Sequence, residues 1–391
     1  MSGFKSFPCL LALGSALSVA ACQPASDKRA YVEKLGDDTT AVEVFSRTDT
    51  SVVGDLVVRS PTTRVAHYAG RLTPDGAISE LEVEWHTPET NADGPPDERF
   101  MVKMEGDSAI VERYRKDGTD TIKVATPEGT IPVIGRAPMS YGLREQVVRQ
   151  ALAKGGDSVA ITLLPAGSQR TRANYVAKVG SDTVAMSFFG SRMLASVTSS
   201  GDLLGITGKE TTMQVEGTRA AGVDLEALAE DFAARDASGK GFGVASPGAT
   251  LQTTLADAHL EIKYSQPAKR GRDLFGGLVP WNKVWRTGAN AATIFTTDRD
   301  LEIGGKTVPA GSYTLWSTYT PESAQLIINS ETGQWGTAYD ESKDFVRVDM
   351  TRSSLSEPVE RFTFAVESDG SGGMLQLKWG DTQFSVPIVV K

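Results

Sequence analysis

The residues best suited to chemistry lie between Arg270 and Trp335. Arg270, Arg272, Lys283 and Arg286 bring positive charge close to Trp281 and Trp285, and Asn290, Thr293 and Trp335 follow. A guanidinium stacks on an indole and forks onto a carboxylate or phosphate. Asn290 and Thr293 add neutral donors and acceptors. The set reads as a groove for an anionic or sugar-like ligand, or for the acidic loop of a partner protein. A second reading makes Arg286 and Asn290 a buried network and the tryptophans core, since aromatic side chains in a small β-domain are usually core.

Reactive motifs are missing. There is no G-x-S-x-G, and no S-x-x-K after Cys22. His67, His86 and His259 fall in no H-E-x-x-H or H-x-H pattern, so each is read as a surface histidine and no metal is expected. Gly304-Gly305-Lys306-Thr307 imitates the end of a P-loop, but Asp300 stands where its first Gly belongs. Gly239-Lys240-Gly241-Phe242-Gly243 lacks the strand–turn–helix setting of a nucleotide loop. No catalytic residue and no cofactor is assigned. The acids nearest the basic and aromatic residues are Asp298, Asp300 and Glu302. They keep open a carboxylate-based hydrolase acting on glycans.

The elements that must position these residues are strands. Thr293–Thr297 is β-branched and aromatic, and Leu301–Val308 with Gly304-Gly305 at its centre is a tight hairpin. Ser312–Tyr319 sends Tyr313, Leu315, Ser317 and Tyr319 to one face and Thr314, Trp316 and Thr318 to the other. Val359–Val366, Met374–Trp379 and Thr382–Val390 are further strands, with Gly380-Asp381 as the last hairpin turn. Upstream, Tyr68–Leu72 with Ala77–Trp85, and Phe100–Met104 with Ser108–Tyr114, are hairpins joined by Asp-Gly or Gly-Asp turns. Lys34–Ala41 is echoed by Lys178–Ala185, which fits either a duplicated meander or shared turn chemistry. Two helices interrupt. Met139–Lys154 carries the stripe Leu143, Val147, Val148 and Leu152, and Val223–Asp236 is capped by Asp224. The first of these helices would plug the open end of a curved sheet. The expected fold is all-β with two helices: an N-terminal antiparallel β-meander or half-barrel (30–217), a helix and Gly-rich linker (218–248) and a C-terminal β-sandwich (249–391).

Tyr264–Asp298 (YSQPAKRGRDLFGGLVPWNKVWRTGANAATIFTTD), Ile303–Trp316 (IGGKTVPAGSYTLW) and Glu331–Asp340 (ETGQWGTAYD) resemble the family labelled domain of unknown function 2911. The resemblance runs from about Ser246 to the C-terminus. It implies a bacterial, exported protein and brings no activity. Gln266 and Ala291 depart from the family pattern, where Arg and an acid are expected, so a charged pair between those positions is absent.

The front of the chain gives the address. Lys5 precedes the apolar run Cys9–Ala21, which is too short to span a bilayer. It ends in Val19-Ala20-Ala21-Cys22, similar to a bacterial lipobox. The expectation is a signal peptide over 1–21, an acylated Cys22 (palmitate-type chains) at the mature N-terminus, and a polar tether over 22–29. The other reading is cleavage that leaves a free Cys. Lipid on Cys22 would tie the protein to the membrane, and Gln23 in place of Asp points to the outer membrane, facing the periplasm. The mature chain carries no other Cys and hence no disulfide. Its charge is about −10, the −9 of the whole chain less Lys5, which makes it a poor partner for nucleic acid. The leading expectation is a non-enzymatic, lipid-anchored envelope protein that binds a ligand or partner. A glycan hydrolase is the alternative. A carrier holding an apolar ligand between the N-terminal sheet and its helix is a third.

Overall fold

A computed structural model of the protein describes residues 28–88, 95–135, 140–188, 191–209, 211, 214–370 and 372–391. The signal-peptide and Cys22 expectations lie outside them. The chain divides into two compact units, one extending to Gly243 and the other beginning at Val244, with Gly36–Asp38 grouped with the second. Among the described residues no helix is long and apolar enough to cross a membrane.

The first unit is one sheet of 15 strands. Its first meander is β1 (Arg29–Leu35), β2 (Asp38–Arg47), β3 (Ser51–Val58), β4 (Arg64–Leu72), β5 (Ile78–His86), β6 (Glu98–Glu105), β7 (Ser108–Arg115) and β8 (Gly118–Ala125). After β9 (Ile131–Val133) and helix α1 (Tyr141–Lys154) comes a second meander. It is β10 (Ser158–Pro165), β11 (Arg172–Lys178), β12 (Thr183–Phe188), β13 (Ser191–Val197), β14 (Leu203–Thr207) and β15 (Val215–Ala220). β1 pairs antiparallel with β15 and joins the two meanders, while β9 pairs parallel with β10. Period-2 patterning makes the strands: in β4, Ala66, Tyr68, Gly70 and Leu72 are buried while His67, Ala69 and Arg71 are exposed.

Helix α1 lies against the inner face of this sheet. Leu143, Val147 and Val148 are buried as the stripe requires, and Leu152 is partly buried. The stripe understates the enclosure, because Arg144, Glu145 and Gln146 are buried as well. Strands from both meanders surround the helix, so its polar face must find partners inside the protein. Glu43 of β2 supplies one set. Its carboxylate accepts from Tyr68 Oη (2.7 Å), Ser140 Oγ (2.7 Å), Gly142 N (3.0 Å) and Tyr141 N. A fully buried carboxyl group thus accepts from the free N–H groups of a helix N-terminus, where the dipole favours its charged form. Glu33 accepts from Tyr141 Oη at 3.1 Å and lies 3.8 Å from the Arg144 guanidinium. Glu145 accepts from Leu203 N at 3.0 Å and pairs with Arg29. The rings of Tyr31 and Tyr141 stack at 4.8 Å beside Phe45.

Helix α2 (Leu225–Ala237) is capped by Asp224, whose side chain accepts from Ala227 N at 3.1 Å. Its Ala229 and Phe232 pack on Val42 and Val57 of the same unit, against the outer face of the sheet.

The second unit comprises β16 (Gly248–Leu255), β17 (Ala258–Ser265), β18 (Thr293–Thr297), β19 (Leu301–Ile303), β20 (Lys306–Val308), β21 (Gly311–Tyr319), β22 (Ala324–Asn329), β23 (Asp344–Ser368) and β24 (Gly372–Val390). Pairing follows the order β16-β17-β18-β21-β22-β23-β24-β19-β20. All of these pairs are antiparallel. The β19–β20 hairpin turns at Gly304-Gly305, with φ of +57° and +79°. The unit is a sandwich whose layers share β23: Asp344–Met350 pair with β22, and Thr351–Ser368 pair with β24. Leu260, Phe295, Leu315 and Ile328 of one layer meet Phe364, Leu377, Val386 and Ile388 of the other.

One turn expected at the end of the chain is not there. Gly380-Asp381 lies within β24, Gly380 taking φ +59° opposite Val359 where the register shifts. Pro358 in the facing strand breaks the ladder at the same place. Two local turn signals on neighbouring strands together make a bulge and a bend, and β23 and β24 run on through it. The true hairpin reversal falls between Ser368 and Gly372.

Candidate functional site

The loop from Trp281 to Asn290 leaves β17 and β18 on either side and crosses β21. Trp285 N donates to Ser317 O at 2.8 Å, and Ser317 N donates back to Trp285 O at 2.9 Å. This bridge delivers the Trp285 indole to the sandwich core, stacked on Trp379 at 5.7 Å and edge-on to Phe362 at 5.1 Å. Trp281 also packs against the core and is half-buried. Both are walls of the fold, not of an open groove.

Arg270 and Arg272 are engaged by their surroundings. Arg270 is buried at φ +49°, and its N–H donates to Glu360 Oε1 at 2.8 Å. Arg272 curls over its own turn, donating to Lys269 O (3.0 Å) and Ala268 O (2.6 Å). Burial lowers its pKa, assisted by the nearby Arg270 charge.

Arg286, Asn290 and Trp335 are brought together. Arg286 is 8% exposed, and its Nη1 donates to Asn290 O at 3.1 Å. Asn290 takes φ +60° and ties its side-chain amide to Ser246 O and Ser265 Oγ, both at 3.3 Å. Gly336 N donates to Asn290 O at 3.0 Å, and Ala291 bridges to Trp335. Gly336 must be glycine here, because a Cβ would come 2.3 Å from Arg286 Cδ and 2.5 Å from Asn290 O. The Trp335 indole, one residue before Gly336, is left 58% exposed.

Two features set this corner apart from ordinary core. Among the described residues no carboxylate pairs with Arg286, and burial alone lowers its pKa. Thr287, a β-branched residue, is held at φ +51° by Oγ1 contacts to Ser317 Oγ (2.9 Å) and Trp285 O (3.4 Å). Such backbone is strained and persists only where its surroundings over-determine it. The acids considered for catalysis have partners: Asp298 accepts from His259 N (2.7 Å), Asp300 from Ala310 N (2.8 Å), and Glu302 pairs with Lys391 (3.0 Å).

A second site, not anticipated, lies on the outer face of β2–β5 in the first unit. It is a groove of about 350 Å³ that includes Lys28, Val53, Asp55, His67, Glu82 and Glu84 in its lining. Strand register creates it. Asp55 lies opposite His67, His67 opposite Glu84, and Glu84 opposite Arg99, a row across four strands. Asp55 Oδ1 bonds His67 Nδ1, and Arg99 pairs with Glu82 and lies 3.6 Å from Glu84. The β4–β5 hairpin was legible in the sequence, and its register would have put His67 beside Glu84. The three histidines are not all surface residues: His86, its ring 5.3 Å from that of His67, has a buried Nε2. Among the described residues no group of three or more His, Cys, Asp or Glu side chains could hold a metal.

The hydrogen bond to Asp55 raises the His67 pKa, against an opposing effect of burial. The stabilising pair is therefore fully present below the ordinary histidine value of 6.5 and is lost as pH rises through the raised one. Following the His67 ring protons by NMR, Asp55→Asn is expected to move the titration midpoint down. An unchanged midpoint would show that the bond does not persist in solution.

Residues 246–388 match the family model described as Protein of unknown function (DUF2911). Comparison with curated proteins gives no match. Among solved structures, the chain is similar to a DUF1089 family protein from Pseudomonas aeruginosa, at 10% identity and a TM-score of 0.30 over 49% of this chain and 95% of that one. It is also similar to a β-barrel-like protein of the DUF1849 domain from Brucella abortus, at 16% identity and a TM-score of 0.33 over the same shares.

Proposed function

We propose that this is a lipid-anchored protein of the cell envelope whose C-terminal unit is a non-enzymatic binding module for an anionic or sugar-like ligand. The observation that carries the binding reading is Arg286. A guanidinium withdrawn from water without a countercharge is costly, and an anion placed against it offsets that cost. Trp335, which precedes the Gly336 packed on Arg286, offers an exposed apolar face to a sugar ring or acyl group. The lipobox-like Val19-Ala20-Ala21-Cys22 supports the address, with the lipid on Cys22 holding the protein at the outer membrane.

The test is calorimetric titration of the full chain with a uronic-acid oligosaccharide and with its neutral counterpart. The acidic compound is expected to bind and the neutral one to bind at least about tenfold more weakly. Trp335→Ala should remove binding while leaving the melting temperature unchanged. Arg286→Lys keeps the charge, loses the planar fork and should weaken binding. Equal affinity for both compounds, or full binding by Trp335→Ala, would refute the assignment. Mass spectrometry checks the anchor independently, since an unmodified Cys22 would end that reading.

A further inference from the structure

The groove on β2–β5 has a charge pattern the binding module does not use. Its acids are partly satisfied: one oxygen of Asp55 faces His67, and Arg99 bridges Glu82 and Glu84. Asp55, Glu82 and Glu84 all line the groove. Lys28 also lines it, is exposed, and makes no ion pair with any described residue. The walls between these charges are small or aliphatic: Val44, Val53, Gly54 and Ala69, of which Val53 is 40% exposed. Anionic and cationic groups separated by an apolar floor suit a small zwitterion. The volume of about 350 Å³ is at the lower end of ligand sites.

Chain length adds a second constraint. Lys28 follows Cys22 by six residues. Six fully extended residues reach about 20 Å. If Cys22 carries lipid, as the proposed function holds, Lys28 and the groove it lines stay within that distance of the bilayer surface.

We propose that this groove is a second binding site, for a phosphoethanolamine group, with the ammonium at Glu82 and Glu84 and the phosphate at Lys28. An ammonium donates three hydrogen bonds and so engages Glu82 and Glu84, two carboxylates on the same face of β5, together. The same chemistry is offered by a membrane lipid headgroup and by the soluble compound.

The experiment titrates the full chain with phosphoethanolamine and with glycerol phosphate, which lacks the ammonium. It also measures retention of the chain on vesicles of anionic lipid with and without ethanolamine lipid. Saturable binding of phosphoethanolamine is expected, with glycerol phosphate about tenfold weaker. Glu84→Gln and Lys28→Ala should each weaken it by about the same factor, and neither change touches the core, so circular dichroism should report an unaltered fold. Extra retention on ethanolamine-lipid vesicles would identify the membrane as the source. Binding of the soluble compound alone would support the site and assign a soluble source. No saturable binding, equal binding of glycerol phosphate, or both variants behaving as the parent would overturn the proposal. The soluble titration does not depend on the anchor. An unmodified Cys22 would therefore remove the membrane argument while leaving the groove to stand or fall by itself.

Discussion

Glu43→Ala is expected to destabilise the first unit by about 3–5 kcal/mol, a very large effect for one residue. The carboxylate is wholly buried and accepts from two hydroxyls, Tyr68 and Ser140, and from the backbone of Tyr141 and Gly142. Removing it orphans these donors together, in a region where water does not replace the lost acceptor. It also takes the anion from the N-terminus of α1. Burial raises the Glu43 pKa, and the four donors pull it back. The isosteric Glu43→Gln keeps one acceptor but turns an amide N–H₂ toward groups that already donate, so it should fall between Ala and the parent. Urea unfolding of the full chain followed by far-ultraviolet circular dichroism measures both. An unshifted midpoint for Glu43→Ala would mean that α1 is held by its apolar contacts alone.

Trp285→Ala should cost the second unit about 3–5 kcal/mol, through lost transfer energy and the cavity left beside Trp379 and Phe362. Trp335→Ala should stay within about 0.5 kcal/mol of the parent, because that indole is mostly in water. Thermal melting of the two variants side by side separates the wall of the fold from the ligand-facing residue. Equal melting temperatures would show that the two tryptophans have been given the wrong roles. Arg286→Ala belongs between them. Its single bond to Asn290 O is lost, yet the desolvation of an unpaired charge is relieved at the same time.

The sequence by itself determined many of the strands, several of their turns and the cap of α2. Alternation in Arg64–Leu72, the Gly304-Gly305 turn and the Asp224 cap are set by contacts within a few residues, so local chemistry decides them. It also carried the motif that gathers Arg286, Asn290 and Gln334-Trp335-Gly336, though not the side of the protein to which each tryptophan would turn. That was decided by tertiary structure. Trp285 enters the core because Trp379, far along the chain, stacks on it, while Trp335 is left outside because its segment is pinned edgewise to Asn290 and Ala291. The burial of Arg144 and Glu145 follows from a sheet that surrounds α1, and Glu43 meets Tyr141 from 98 positions away. Gly380 became a bulge instead of a turn because the opposing strand broke register at Pro358 and Val359. The groove of Asp55, His67 and Glu84 exists only once three strands are aligned. A one-residue slip would send those side chains to the opposite face, and no single strand encodes the register that prevents it.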